Sequence, residues 1–319
     1  MHIALPIPSA PSRHPFEGAA GILERIGNTP LVRLCHVASG LSDDVEVWAK
    51  LEGQNPGGSV KDRPALAIVL DAVRTGRLKP GQRMLDASSG NTGIAYAMIG
   101  ANLGFELTLC LPKNANAERK QILSAYGVEV VETDPLEGSD GAIRKARELA
   151  AESPDLYSYL DQYSNENNWK AHFGSTGPEI VQQTGGGVTH FVAALGTSGT
   201  FMGTTRFLKQ WNPSVRCYSV QPDSPFHGLE GLKHMETSIV PPIYDPALAD
   251  ENLEAPTEES LELVRDLARY DGILIGPSCG AACWAALQVA RRLDSGVVVT
   301  VFPDSGERYL SEEHIWRAP

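Results

Sequence analysis

The stretch RMLDASSGNTGIAYAMIGANLGFELTLCLP, residues 83–112, decides the fold. Arg83–Ala87 reads as a short buried strand, and Ser88–Gly93 as a polar, glycine-rich turn. Ile94–Leu103 reads as a helix that Gly104 stops, because glycine readily takes the left-handed conformation of a helix C-terminus. Phe105–Leu111 is a second apolar strand, ended by Pro112. Two short apolar strands joined through a helix form a parallel crossover unit.

The pattern extends both ways. Residues 64–75 place Leu66, Val69 and Val73 on one helical face before Gly76. Helices are expected over Ala117–Tyr126 and Ala142–Ala151, with a strand at Val128–Glu132. In the second half, His190–Leu195, Val215–Val220 and Val297–Phe302 read as strands. Phe201–Gln210, Glu258–Arg269 and Ala281–Leu293 read as helices. Ser153, Pro154 and Asp155 mark a domain junction. The fold class is α/β, with two open α/β domains and a cleft between them. In such sheets ligands bind beyond the strand C-termini, so the strand-to-helix loops are where chemistry is expected.

Composition narrows the partners. The chain has 319 residues, room for about two domains. Its 27 Lys and Arg against 39 Asp and Glu leave a net charge of −12, which argues against nucleic acid or an anionic membrane as partner. No apolar run is long enough to span a bilayer. Residues 1–20 carry Pro6, Pro8, Pro11 and Pro15 without a signal-peptide apolar core, and read as a loose arm. Five cysteines, an odd number with no zinc-like spacing, read as reduced thiols. No metal site is expected, and the default class is a cytoplasmic enzyme.

Four loops carry the candidate chemistry. Ser88-Ser89-Gly90-Asn91-Thr92-Gly93 precedes a helix and offers short donors and free backbone N–H groups to a small carboxylate; the plainer reading is an N-cap turn. Gly196-Thr197-Ser198-Gly199-Thr200 opens another helix and suits a phosphate monoester, although it lacks the ending of a Walker A loop. In Asn55-Pro56-Gly57-Gly58-Ser59-Val60-Lys61-Asp62-Arg63-Pro64, Lys61 falls at a helix start. The helix dipole disfavours a cation there, and a neutral amine is what Schiff-base chemistry needs. The plainer reading pairs Lys61 with Asp62. In Gly276-Pro277-Ser278-Cys279-Gly280-Ala281, Ser278 either caps a helix or donates to a ligand, and Cys279 and Cys283 read as a buried pair.

NPGGSVKDRPA, SSGNTG, GTSGT and GPSCGA, in this order, resemble the cysteine synthase branch of the fold-type II pyridoxal-phosphate (PLP) enzymes, whose architecture is that of the tryptophan synthase β subunit. Ile26–Val32, Asp161-Gln162-Tyr163 and Thr176–Ile180 also fall in order, so the resemblance covers roughly residues 22–310. It implies that Lys61 carries PLP covalently, that Asn91 contacts the 3′-oxygen, that Gly196, Thr197, Ser198, Gly199 and Thr200 cradle the phosphate, and that Ser278 faces the pyridine nitrogen. It further implies that Ser88, Ser89, Thr92 and Gln162 hold the substrate carboxylate. The expected division is a smaller mobile domain, 55–158, and a larger PLP-binding domain, 1–54 with 159–319.

The implied reaction is β-replacement on an O-activated L-serine by a sulfur nucleophile, giving L-cysteine. Ser88 stands where many members have threonine, and the segment His227–Met235 departs from the common acetylserine pattern. Lys233 in that segment is the expected reader of a phosphate leaving group. The resemblance leaves open O-acetylserine against O-phosphoserine, and sulfide, thiosulfate or a protein thiocarboxylate as sulfur source. It also leaves open a related synthase with another nucleophile, such as one making a diaminopropionate precursor, and a serine/threonine dehydratase, a branch with histidine where Thr92 stands. A nucleotide-binding module without catalysis is the reading from another class. A homodimer is expected, with a serine acetyltransferase or a sulfur-carrier protein as further partners the sequence does not resolve.

Overall fold

A computed structural model describes residues 21–88 and 90–317. The N-terminal arm and Ser89 lie outside the described residues. In chain order the strands are β1 (Leu31–Arg33), β2 (Val45–Leu51), β3 (Arg83–Ala87), β4 (Leu107–Pro112), β5 (Glu129–Thr133), β6 (Tyr157–Tyr159), β7 (His190–Ala194), β8 (Arg216–Pro222), β9 (Glu251–Ala255) and β10 (Gly296–Phe302). The helices that position the site are α1 (Asp62–Arg74), α2 (Asn91–Leu103), α3 (Ala117–Ala125), α4 (Gly138–Glu152), α5 (Asn167–Gly174), α6 (Thr176–Gln183), α7 (Gly199–Trp211), α8 (Thr257–Asp266) and α9 (Pro277–Ala290).

Among the described residues two sheets form. One has the order β1-β2-β10-β7-β8-β9 and the other β5-β4-β3-β6. All pairs are parallel except β1 with β2. The expected parallel α/β architecture is therefore present. α9, alanine-rich and buried along most of its length, packs in the core of the larger sheet with Val298 and Phe302. α1 and α2 bury Ile68, Val69, Ile94 and Ile99 against the smaller sheet. The buried face of α1 runs through Ala65, Ile68, Val69 and Ala72, so the expected face of Leu66, Val69 and Val73 is rotated, and Leu66 and Val73 sit at its margin. The helix expected over Glu258–Arg269 ends as α8 at Asp266 and continues as a π turn over Leu267–Asp271.

A buried charge network fixes the start of α1. Arg63 Nε donates to Glu52 Oε2 at 2.7 Å, and its Nη1 donates to Glu179 Oε1 at 2.6 Å. Lys50, 0% exposed, pairs with Glu179 Oε2 at 2.7 Å and donates to the Thr29 carbonyl at 3.0 Å. Burial alone would raise the Glu179 carboxyl, but the Arg63 hydrogen bonds and charge outweigh it and hold the group at about 2. Glu52 is likewise held below the ordinary range: Arg63 overcomes its burial.

Removing one partner of a buried pair leaves an uncompensated charge. Glu179→Gln should therefore cost about 3–5 kcal/mol in urea unfolding at pH 7. A depressed carboxyl pKa gives stability that is complete above the unfolded-state value and lost as pH falls through the folded one. The gap between wild type and variant should therefore close as pH falls from about 4.3 toward the folded value of about 2. A gap that stays constant over that window would refute the assignment.

Candidate active site

The strand C-termini of both sheets face one cavity of about 440 Å³. From the smaller sheet come Ser88, Asn91 and Thr92 after β3, Arg119 after β4, and Gln162 after β6. From the larger sheet come Gly196, Thr197, Ser198 and Thr200 after β7, Glu230 and Lys233 after β8, and Asp304 after β10. Lys61 and Ser278 also line it. Among the described members of the expected set, Gly199 does not line the cavity; it packs closely against Asn168.

Lys61 is the N-cap residue of α1, half-buried, and its amine is held below the ordinary lysine range. Burial is the main cause; Asp304 opposes it and Arg119 adds to it. The neutral amine expected from the helix dipole is thus favoured mainly by desolvation. The alternative pairing with Asp62 is not made: Asp62 accepts from Gly57 N–H instead, and burial pushes its carboxyl up to about 7. Gly58 has φ +78, and a side chain there would collide with the Arg308 guanidinium, so the turn before Lys61 requires glycine.

The loop after β3 is shaped from within. Ser88 Oγ accepts from Gly90 N–H at 3.3 Å and Gly93 N–H at 3.1 Å. Thr92 Oγ1 donates to Gln162 Oε1 at 2.7 Å, and Gln162 Nε2 donates to the Ala87 carbonyl at 2.7 Å. Behind them Asp86, buried and pushed up to about 7 by that burial, accepts the Gln162 N–H at 3.1 Å. Asn91 is held from both ends: Nδ2 donates to Asp304 Oδ2 at 2.6 Å, and Oδ1 accepts from Arg308. One Nδ2 hydrogen remains unassigned by these bonds.

The loop after β7 has the features of an anion cradle. Ser198 takes φ +68, unusual for a non-glycine residue, and its Oγ is buried without a protein partner. An orphaned hydroxyl at the start of the 13-residue α7 fits a phosphate. His172 Nε2 lies 3.4 Å from Thr200 Oγ1; burial holds this histidine at about 3, hence neutral. Ser278 does not cap α9, whose N-cap is Gly276, and it is buried against the cavity. Cys279 and Cys283 are buried free thiols, as expected. An amine, a phosphate cradle and a carboxylate loop around one space are the groups PLP and an amino acid require. Among the described residues no cluster suited to a metal occurs.

The cavity residues Asp304, Arg119, Tyr309 and Glu230, and Arg308 beside them, escaped the sequence reading. Asp304 is 2% exposed and accepts from Tyr309 Oη at 2.6 Å as well as from Asn91. Arg119, 3% exposed, donates to Tyr309 Oη at 2.8 Å and pairs with Glu230. Arg308 contacts Asn91 and the Gly57 carbonyl. The signal for Asp304, Arg308 and Tyr309 was present: DSGERY follows a parallel strand, where site loops are expected. Lys233 is buried, 3.4 Å from Asp140 Oδ1, and sits over the Tyr163 ring at 5.3 Å.

Gly196 allows a backbone contact that shapes the cavity: an added Cβ would overlap the Gly231 carbonyl oxygen. Gly196→Ala should displace the loop carrying Glu230 and Lys233 and cost about 1–3 kcal/mol in chemical denaturation. Wild-type stability in that variant would show that the contact is not tight.

Known proteins bear on this geometry. The family model "Pyridoxal-phosphate dependent enzyme" matches residues 22–304. A cysteine synthase of Aquifex aeolicus is 54% identical over 296 residues, 91% of this chain and 90% of that relative. A cysteine synthase B of Pseudomonas aeruginosa is 43% identical, covering 91% and 95%. The crystal structure of a cysteine synthase from Entamoeba histolytica superimposes with a TM-score of 0.89 at 34% identity, covering 98% of this chain and 94% of that one. The chain belongs to the pyridoxal-phosphate-dependent enzymes of fold type II, in their cysteine synthase branch.

Proposed function

We propose that this protein is a PLP-dependent cysteine synthase that replaces the β substituent of O-acetyl-L-serine with a sulfur nucleophile to release L-cysteine. The observation that carries the reading is the Lys61 amine, its pKa lowered by burial, in one cavity with the carboxylate loop and the α7 cradle. Bound PLP supplies the electron sink for carbanion chemistry at Cα.

The chain's own residues do the rest. Lys61 holds the cofactor covalently and, once released, takes the substrate Cα proton and later returns one. Gly196, Thr197, Ser198 and Thr200 would hold the cofactor phosphate at the start of α7, with Gly199 letting the helix start pack against Asn168. Asn91, oriented by Asp304 and Arg308, turns its spare N–H toward the 3′-oxygen, and Ser278 faces the ring nitrogen. Ser88, Ser89, Thr92 and Gln162 orient the substrate carboxylate. Residues 55–158 form a smaller domain that closes on 1–54 with 159–319 and excludes water during the exchange.

Donor choice follows from charge. Lys233 and Arg119 both line the cavity, and both already face carboxylates, Asp140 and Glu230. A donor with an uncharged leaving ester suits such a balanced site. Lys233 is the contact to the leaving group. Sulfide is the simplest nucleophile for the space. The protein acts in the cytoplasm as a homodimer; among the described residues no helix is long and apolar enough to cross a membrane.

Two tests address this reading. Borohydride reduction followed by peptide mapping should place the pyridoxyl group on Lys61, and Lys61→Ala should lose the yellow colour and about a hundredfold or more of turnover. Label on another lysine would refute the assignment. Gln162→Ala should raise the donor KM while PLP affinity, measured by reconstitution of the apoprotein, changes little. Equal loss of both would mean that Gln162 only shapes the fold.

A further inference from the structure

Glu230 enters the reading above only as the carboxylate that faces Arg119, and it lines the cavity itself. It sits in the loop between β8 and β9, whose backbone is tied to the end of β7 by a Lys233 N–H to Leu195 carbonyl bond of 2.9 Å. Its carboxylate reaches across the cleft to Arg119 Nη1. Arg119 is buried beside the carboxylate loop: a Cβ on Gly90 would lie 3.2 Å from Nη1. Nη2 is used by Tyr309, the guanidinium carbon lies 5.0 Å from the Tyr309 ring centre, and the buried Nε has no partner. A guanidinium with an unspent N–H, lining the cavity, is a place for an anion. The protein puts its own anion there.

We propose that Glu230 is a specificity-determining residue: by occupying the anion-binding face of Arg119, it directs the enzyme to an uncharged ester donor and against a phosphate one. The inference rests on the β-replacement reading and adds to it the basis of donor discrimination. The pairing of charges explains the effect. Arg119 and Lys233 are each paired with a carboxylate, Glu230 and Asp140, and Asp304 and Glu312 add carboxylates to the same lining, so a neutral acetyl group meets no unpaired cation. A phosphate monoester brings about −1.5 to −2 charge and meets Glu230, whose side chain is 38% exposed, as a like charge beside the buried Arg119. Discrimination by an added repulsive element needs no loss of contact to the favoured donor. Without the Glu230 charge, the Arg119 N–H that it takes would be open to the phosphate of O-phospho-L-serine.

The test uses the holoenzyme with sulfide. The ratio of kcat/KM for O-phospho-L-serine to that for O-acetyl-L-serine should rise about tenfold or more in Glu230→Gln, which keeps the size and loses the charge. Glu230→Asp keeps the charge and should retain the wild-type ratio. An unchanged or lower ratio in Glu230→Gln, or an equal rise in Glu230→Asp, would overturn the proposal. Inorganic phosphate titrated calorimetrically into the three holoenzymes gives a readout independent of turnover: only Glu230→Gln should bind it about tenfold more tightly, and equal affinity in all three would also overturn it. If the wild type used neither donor, the β-replacement reading would fall, and the phosphate titration would still decide the role of the Glu230 charge.

Discussion

The chain turns into α1 at one place because Arg63 cannot be elsewhere. Its guanidinium is shared between Glu52 at the end of β2 and Glu179 on α6, and Glu179 also takes Lys50 from β2. Each of these charges would be costly to bury alone, and any shift of α1 would separate them. Replacing such a network with apolar side chains can be neutral for stability; what the ionic version supplies here is position. Lys61 lies two residues before Arg63, so the network that anchors the helix also anchors the amine.

From that fixed point, topology does the gathering. Parallel strands share one direction, so every strand of a sheet delivers its following loop to the same edge. In the larger sheet β10 lies between β2 and β7, which brings Asp304, at the end of the last strand, beside the loop that opens α7. The smaller sheet presents Ser88, Asn91, Thr92 and Gln162 in the same way. The two edges then meet through polar bridges, Asn91 with Asp304, Asn116 with Glu312, Arg119 with Glu230 and Asp140 with Lys233. Each bridge joins a buried residue to a partly exposed one.

Much of this was legible in the sequence, for identifiable reasons. Arg83–Ala87 was read with the bounds it has, and Gly76, Gly104 and Gly127 all take positive φ where helices were expected to stop. These signals are local. β2 was not read as a strand because Lys50 interrupts VEVWAKL, and a lysine in a buried strand makes sense only once Glu179 is placed beside it. β1 and β6 have three residues each, too few for a periodicity. Of the site, the four loops rich in glycine and hydroxyl residues were legible. Arg119 and Glu230 were not, since a charged residue on a helix or in a loop looks like surface until a second element covers it.

The helix-start argument for a neutral Lys61 amine rests on a secondary cause, since burial is the main one. A helix N-terminus disfavours a cation by a fraction of a kcal/mol to about 1 kcal/mol at an exposed site, whereas desolvation can move a buried amine by several pKa units. Asp304 works the other way, as its carboxylate favours the charged amine, and Arg119 and Cys279 split in sign. The balance still falls toward the neutral form because burial outweighs Asp304, Cys279 and Glu52, which all favour the charged amine. The same burial pushes the carboxyls of Asp62 and Asp86 up to about 7, so groups that would be charged on a surface sit closer to neutrality around this cavity. A site of this kind disfavours uncompensated charge whatever its sign, and that is the physical reason its arginine and lysine come with carboxylates of their own.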